Sequence, residues 1–254
     1  MPPPIWRSFM PYTAPAEINT EQYSQSFITH FENRKNIAGY SKVRNILRYH
    51  PDQIIAFEND PITHLYEIMT GTVKTYKMLN DGRRQITGFY TKGDVVGLPV
   101  DGRYFYTIEA ITEASICCHS KIQMKRLMDS DPDFTLKIIK SAHDRLRDAH
   151  EQMISLGRKT PDERIAAFLL KCQKWATIQI PAQNFIISLP MSRMDIADYT
   201  GLRQETVCRI FSKFKRSGLI TLLRSDQLIL NDHRQLLKLA NLSEDNSETI
   251  PRYH

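Results

Sequence analysis

Residues 192–216 read SRMDIADYTGLRQETVCRIFSKFKR, and this stretch decides the fold. Ser192 can cap a helix over residues 193–200, and Gly201 can turn the chain before a second helix from about Gln204 to Arg216. The second helix carries an apolar stripe at helical spacing, formed by Val207, Ile210, Phe211 and Phe214. Two helices joined by a short glycine turn predict a helix-turn-helix.

The flanking sequence extends this unit on both sides. Gly218 ends the second helix, and two β-type runs, 219–223 and 227–230, form a hairpin that predicts a wing. Upstream, Thr160-Pro161 with Glu163 opens a helix that is expected to reach about Trp175, followed by a short strand at 185–189. We therefore predict a winged helix-turn-helix DNA-binding domain over residues 158–240, followed by a tail at 241–254.

The open face of the second helix predicts the contacts with double-stranded DNA. Arg209 suits a bidentate contact to guanine, and Glu205 can accept a hydrogen bond from cytosine. Seven basic and three acidic residues lie between Met191 and Arg224, a local charge of +4. The predicted base contacts are Gln204, Glu205, Cys208 and Arg209, and the predicted phosphate contacts are Arg193, Arg203, Ser212, Lys213 and Lys215.

Cys208 lies next to Arg209 on this face and supports two interpretations. A thiol is a weak hydrogen-bond donor, so Cys208 is either a small residue tolerated beside the DNA or a redox-sensitive site. Oxidation to sulfinic acid would add a negative charge in the DNA groove and weaken binding. We hypothesise oxidative inactivation through Cys208.

Residues 37–120 have a different pattern, with short β-type runs separated by turn signals. Asp81-Gly82 between two such runs is a strong hairpin signal. Strands at this spacing predict an all-β sandwich or barrel, within a domain at 36–131. The predicted strands are 53–57, 65–69, 72–78, 85–90, 95–98, 105–110 and 115–118.

A helix is predicted from Pro132 to Gly157, with a narrow apolar seam at spacings of three and four. One interpretation is an amphipathic helix packed on its own domain, but such helices usually have a wider apolar face. The narrow seam favours a parallel homodimer. Its residues are Ile139, Ala142, Leu146, Ala149, Met153 and Leu156.

Composition excludes several classes of protein. The 254 residues carry a net charge of +6, and no apolar run approaches the roughly 18 residues of a membrane helix. Four cysteines are too few for a disulfide scaffold, so a cytoplasmic protein without membrane contact is expected.

The proline-rich residues 1–35 are expected to form an arm with a short helix around 21–33. No catalytic motif is present, so an enzyme is not expected.

The chain resembles the Crp/Fnr family of bacterial transcription regulators over about residues 35–240, most specifically at 191–220 and in the FixK-like subgroup. Supporting segments are LYEIMTGTVK at 65–74, DGRRQI at 81–86 and GDVVG at 93–97. The resemblance implies an α+β fold in which a cupin-like β-roll of the cyclic-nucleotide-binding type precedes a dimerisation helix and the winged helix-turn-helix. It also implies an activator that works with RNA polymerase at a palindromic TTGAT-type site.

Departures from the family pattern predict that no cofactor is bound. Cyclic-nucleotide-binding relatives carry Gly-Glu after the Gly-Asp turn and later an Arg followed by Ser or Thr; here Leu98 follows Gly97, and Tyr104-Phe105 lies near the second position. No cysteine precedes Cys117 to hold an iron–sulfur cluster, and no paired arrangement suggests haem. Cys117 and Cys118 point to opposite faces of a strand, so no metal site is expected there. The alternative is a Crp-type regulator gated by haem, a cyclic nucleotide or another small molecule.

Overall fold

The computed structural model describes residues 45–98, 102–173, 178–180 and 184–242. The predicted arm at 1–35, its helix around 21–33 and the tail after residue 242 lie outside these ranges. Within them, eight antiparallel strands come first, then three helices, then a winged helical unit. This order of elements is the α+β architecture that the sequence predicts.

The eight strands form two four-stranded sheets that enclose a core including Ile68, Ile108 and Ile116. The first sheet has the order β1-β8-β3-β6 and the second β2-β7-β4-β5. Asp81-Gly82 joins β4 to β5, as predicted, and Gly82 takes a φ of 84° that glycine adopts without strain. The strands are β1 (Asn45–Tyr49), β2 (Ile54–Ala56), β3 (His64–Thr70), β4 (Val73–Met78), β5 (Arg84–Tyr90), β6 (Val95–Val96), β7 (Thr107–Ala110) and β8 (Ala114–Ser120).

Three helices follow the β-roll: α1 (Lys121–Ser130), α2 (Pro132–Arg158) and α3 (Pro161–Cys172). The sequence prediction missed α1, although a capping box between Ser120 and Gln123 marks its start. α2 begins at the predicted proline and ends one residue beyond Gly157. α3 has the predicted capping box and extends to Cys172; its predicted end at about Trp175 lies outside the described residues.

The remaining elements form a winged helix-turn-helix around a sheet of order β11-β12-β10-β9. Both helices of the motif have the bounds that the sequence predicts, whereas β9 and the last helix were not predicted. The elements are β9 (Ile178–Ile180), β10 (Asn184–Ser188), α4 (Arg193–Thr200), α5 (Gln204–Arg216), β11 (Ile220–Arg224), β12 (Gln227–Leu230) and α6 (His233–Leu239).

One hydrophobic core joins the winged unit to the β-roll. Tyr76, Ile86 and Phe89 of the roll belong to the same buried cluster as the apolar residues of α3, α4 and α5. The ring of Phe89 lies 5.3 Å from that of Tyr199 and 6.1 Å from that of Phe168, between ring centroids. The β4–β5 side of the roll therefore positions the helix-turn-helix.

The long helix α2 leaves its apolar seam on the surface of the single chain. Ile139, Leu146 and Met153 keep 58%, 57% and 66% of their surface exposed, and Ala142 and Ala149 are also exposed. Leu156 differs, since it is half-buried beside Gly201 of the helix-turn-helix. Among the described helices, none has the length and apolar character needed to cross a membrane.

Candidate nucleic-acid interface

The first helix of the motif, α4, begins at a reciprocal capping box. The Asp195 backbone N–H donates to Ser192 Oγ at 3.0 Å, and the Ser192 N–H donates to Asp195 Oδ2 at 3.1 Å. The helix ends at Gly201, whose φ of 64° suits glycine. A Cβ at this position would lie 2.9 Å from Leu156 Cδ2, the flexible end of a side chain on α2, so the positive φ is the stronger reason for glycine here.

The second helix, α5, separates its apolar and polar faces completely. Val207, Ile210, Phe211 and Phe214 are buried, as the apolar stripe predicts. Four side chains predicted to contact bases lie on the opposite, exposed face and share the first turns of the helix: Gln204, Glu205, Cys208 and Arg209. A helix whose one face is buried in its domain, while the other face of its N-terminal half is exposed, has the form of a recognition helix.

Glu205 and Arg209 have no ion-pair partner within the described ranges of the chain, including each other. Both remain free to meet a ligand, although their spacing of four residues would permit a pair on one helix face. An unpaired arginine fork beside an unpaired carboxylate offers donors and an acceptor to base edges.

The predicted phosphate contacts divide into free and engaged side chains. Arg203 and Lys215 are exposed. Ser212 Oγ donates to the Cys208 carbonyl at 2.9 Å, and Lys213 Nζ lies 2.9 Å from Asp162 Oδ1, although that lysine stays largely exposed. The Arg193 guanidinium stacks 3.8 Å from the Phe211 ring centroid, and burial lowers its pKa below the usual range.

Acidic residues of α4 are neutralised from the β-roll, which sequence reasoning missed. Asp195 Oδ1 accepts from Lys74 Nζ at 3.0 Å and from Arg84 Nη2 at 2.7 Å, and Arg84 Nε donates to Asp198 Oδ2 at 2.7 Å. Lys74 also pairs with Glu109 at 2.9 Å. Burial alone would raise the pKa of Asp195, but hydrogen bonds from Ser192 and Lys74 and the nearby cations lower it below the usual range.

The turn of the motif is held to α2 and α3 by side chains that no sequence motif marked. Arg164 donates to three carbonyls, those of Lys159, Thr200 and Leu156, at 3.0, 3.1 and 2.7 Å. Gln152 of α2 donates to the Tyr199 carbonyl at 2.6 Å. These bonds satisfy helix-end carbonyls and fix the turn relative to the long helix.

Comparison with known proteins agrees with this geometry. The Crp-like helix-turn-helix domain pattern matches residues 163–239, and the cyclic nucleotide-binding domain pattern matches residues 46–131. The nitrogen fixation regulation protein FixK of Bradyrhizobium diazoefficiens is 37% identical over 177 residues, which are 70% of this chain and 74% of that protein. The chain belongs to the Crp/Fnr family.

Two further relatives support this membership. The transcriptional activatory protein AadR of Rhodopseudomonas palustris is 32% identical over 77% of this chain and 81% of its own. The structure of FixK2 from Bradyrhizobium japonicum superposes with a TM-score of 0.71 at 34% identity and covers 78% of this chain and 97% of that one. This Crp/Fnr regulator is therefore a DNA-binding protein and not an enzyme, as the sequence predicts.

Part of the interior of the regulator's β-roll is aromatic. Tyr104 is 4% exposed, and its hydroxyl donates to the His64 carbonyl at 2.9 Å and lies 3.2 Å from the Tyr66 hydroxyl, which can donate to it. The rings of Tyr66 and Tyr104 stack with their centroids 6.0 Å apart. Arg103, the basic residue near the expected phosphate position, donates instead to the Asn59 carbonyl at 2.6 Å.

Proposed function

We propose that this regulator is a homodimeric transcription activator that binds a palindromic TTGAT-type site through α5. The observation that carries the proposal is the open face of α5, where Glu205 and Arg209 are exposed and unpaired above a fully buried stripe. Gln204 and Cys208 complete the base-reading surface. Arg203, Lys213 and Lys215 supply phosphate contacts, and Arg193 and Ser212 border them.

The exposed seam of α2 supports the dimer. Three large apolar side chains lie along one line of a 27-residue helix with more than half of their surface open. A second copy would cover them by parallel knobs-into-holes packing, with the two alanines allowing close approach. A twofold axis along α2 would present two copies of α5 about one helical turn apart, which matches a palindrome.

The aromatic filling of the roll supports an activator that works without cyclic nucleotide or an iron–sulfur cluster. The names of the FixK and AadR relatives describe regulation and activation, and on this basis we assign contact with RNA polymerase and a place in the cytoplasm. Control would then act on protein abundance or on Cys208, the one exposed thiol among the four cysteines.

Fluorescence anisotropy tests the proposal. Reduced, ligand-free protein is titrated onto a TTGAT-N4-ATCAA duplex and a scrambled duplex at one fixed salt concentration, because phosphate contacts make affinity salt-dependent. Selective binding to the palindrome is expected. Equal affinity for both duplexes would contradict the half-site, and selectivity that appears only after adding haem or a cyclic nucleotide would establish the ligand-gated alternative.

Replacing Arg209 by alanine is expected to relax the choice of base at one position of the half-site. A bidentate arginine–guanine contact contributes about 1–3 kcal/mol of discrimination, and the homodimer loses it in both half-sites, so affinity for the palindrome should fall by about 2–6 kcal/mol, roughly 30- to 25,000-fold. Lys215→Ala provides the control, since loss of a phosphate contact should weaken all duplexes equally. Unaltered base preference in R209A, measured with single-base-pair variants of the duplex, would contradict the assignment.

Replacing Leu146 by aspartate is expected to abolish the dimer. Leu146 lies in the middle of the exposed seam, and burying two unpaired carboxylates at a twofold interface costs several kcal/mol. Analytical ultracentrifugation should show a compact monomer. Fluorescence anisotropy should show weakened binding of this monomer to the palindrome. Leu223→Asp, at a wing leucine that is 47% exposed, should leave the dimer intact. A dimeric L146D protein would show that the seam is not the interface.

A further inference from the structure

A second cluster of polar side chains lies between the first sheet of the β-roll and α2, far in sequence from the helix-turn-helix. Glu67 of β3 is directly opposite Cys117 of β8 in the antiparallel register, and His119 is two residues further along β8. Residues two apart on a strand share a face, so these three side chains project from the same side of the sheet. Cys117 and Cys118 point to opposite faces of β8, whereas Cys117 and His119 share one face.

The three potential ligand atoms converge. A carboxylate oxygen, a thiol sulfur and an imidazole nitrogen all lie within 4.8 Å of one another. His119 Nε2 is 3.2 Å from Glu67 Oε2, and the His119 ring is held edge-on to Phe134, with 5.6 Å between ring centroids. Tetrahedral zinc ligands at 2.0–2.3 Å from the ion lie about 3.4–3.7 Å apart, so an adjustment of about an ångström would complete the geometry.

We propose that Glu67, Cys117 and His119 form a binding site for a thiophilic divalent cation of the zinc class. Sulfur, nitrogen and oxygen ligands together suit zinc, cobalt or nickel better than magnesium or calcium. Binding would release the Cys117 thiol proton to solvent, use an unprotonated nitrogen of His119, and leave one position for water. The site goes beyond the proposed DNA-binding function and does not depend on it.

Lys137 gives the site a competitor and a connection to α2. Its ammonium group lies 2.5 Å from Glu67 Oε1, so a bound cation has to compete for that carboxylate. Metal binding would replace the Lys137–Glu67 ion pair, which joins α2 to β3, by a metal–carboxylate bond. Lys140, one turn further along α2, is exposed and provides a matched lysine outside the cluster.

Cobalt(II) is the probe, since a cobalt–thiolate bond produces a charge-transfer absorption band in the near ultraviolet. Metal-free, reduced full-length protein should bind one equivalent with this band and the visible bands of tetrahedral cobalt, and added zinc should remove both. Cys117→Ser should abolish the thiolate band, whereas Cys208→Ser should retain it. His119→Gln should weaken cobalt binding at least about tenfold.

Two lysine variants keep the proposal testable if the Cys117 substitution disturbs folding. Lys137→Gln should raise cobalt affinity about tenfold by removing the competing cation, and Lys140→Gln should leave it unchanged. A gain of affinity reports the site when the variant keeps the wild-type circular dichroism spectrum, since unfolded chains also bind metals through cysteine and histidine. A wild-type protein without a thiolate band, a band that survives in C117S, or equal affinities of K137Q and K140Q would overturn the site.

Discussion

Replacing Cys208 by aspartate is expected to lower affinity for the TTGAT-type duplex at least about a hundredfold. Cys208 is exposed on α5 between Glu205 and Arg209, on the face that we propose to enter the DNA groove. A carboxylate there mimics sulfinic acid and brings negative charge towards phosphates and base acceptors. Like charges across an interface cost several kcal/mol, and about 2.7 kcal/mol corresponds to a hundredfold. Anisotropy on the palindromic duplex measures the loss.

Three comparisons separate this effect from general changes in charge or stability. Gln123→Glu adds the same charge at the first turn of α1, where it preserves the capping box, and should leave DNA affinity unchanged. Cys208→Ser should bind within a few-fold of wild type and resist peroxide. Wild-type protein should lose affinity on peroxide treatment and gain two oxygen atoms on Cys208 by mass spectrometry. If C208D binds as wild type does, Cys208 does not face DNA.

The helix-turn-helix could be predicted in detail because its determinants are local. Ser192 caps α4 by exchanging hydrogen bonds with Asp195, three positions later. Gly201 occupies a turn that needs a positive φ, and the buried stripe of α5 repeats at helical spacing. Each of these features lies within a few residues of its partner. A single sequence therefore carries enough information to place both helices with their bounds.

Two of the missed elements, α1 and β1, lack such a stripe. Helix α1 contains no fully buried residue, so only its Ser120–Gln123 capping box marks it. Strand β1 shows an almost uniformly exposed pattern and owes its existence to pairing with β8. Both are fixed by tertiary contacts, which local periodicity does not encode.

The candidate site likewise combines local features, which could be predicted, with tertiary contacts, which could not. Its exposed face follows from helical spacing, but the partners of its acidic residues do not. In the local charge of residues 191–224, Asp195 and Asp198 count as free negative groups. In the fold they are paired with Lys74 and Arg84, more than 100 positions away. Likewise, the sequence did not predict that Arg193, an expected phosphate contact, stacks on Phe211.

Replacing Lys74 by methionine is expected to lower the free energy of unfolding by about 3 kcal/mol. Lys74 is 4% exposed and lies between Glu109 and Asp195, both of which are buried. Removing one member of a buried ion pair costs about 3–5 kcal/mol because a charge remains without compensation. The lower end applies here, since Arg84 still contacts Asp195. Methionine keeps an unbranched apolar stem of similar shape and lacks the ammonium group, so the measured loss in urea-induced unfolding mainly reports the charge.

Lys77→Met on the same strand is the matched control. Lys77 pairs with Glu58 at 2.9 Å, but its side chain is 32% exposed, and such partly solvated pairs contribute about 1 kcal/mol or less. Equal losses for K74M and K77M would show that the buried cluster does not stabilise the contact between the β-roll and α4. A double-mutant cycle of K74M with Asp195→Asn should give a coupling energy of about 1–3 kcal/mol.

The dependence on pH provides a second test with a defined sign. The pKa of Asp195 is lowered in the folded protein, so its contribution to stability is present above the unfolded value of about 3.9 and is lost as pH falls through the lower folded value. Without Lys74, this pKa is less depressed or raised. The difference in unfolding free energy between wild type and K74M should therefore be largest near pH 7 and shrink below about pH 4. A difference that stays constant down to pH 3 would mean that lost packing, and not the charge of Lys74 at Asp195, causes the destabilisation.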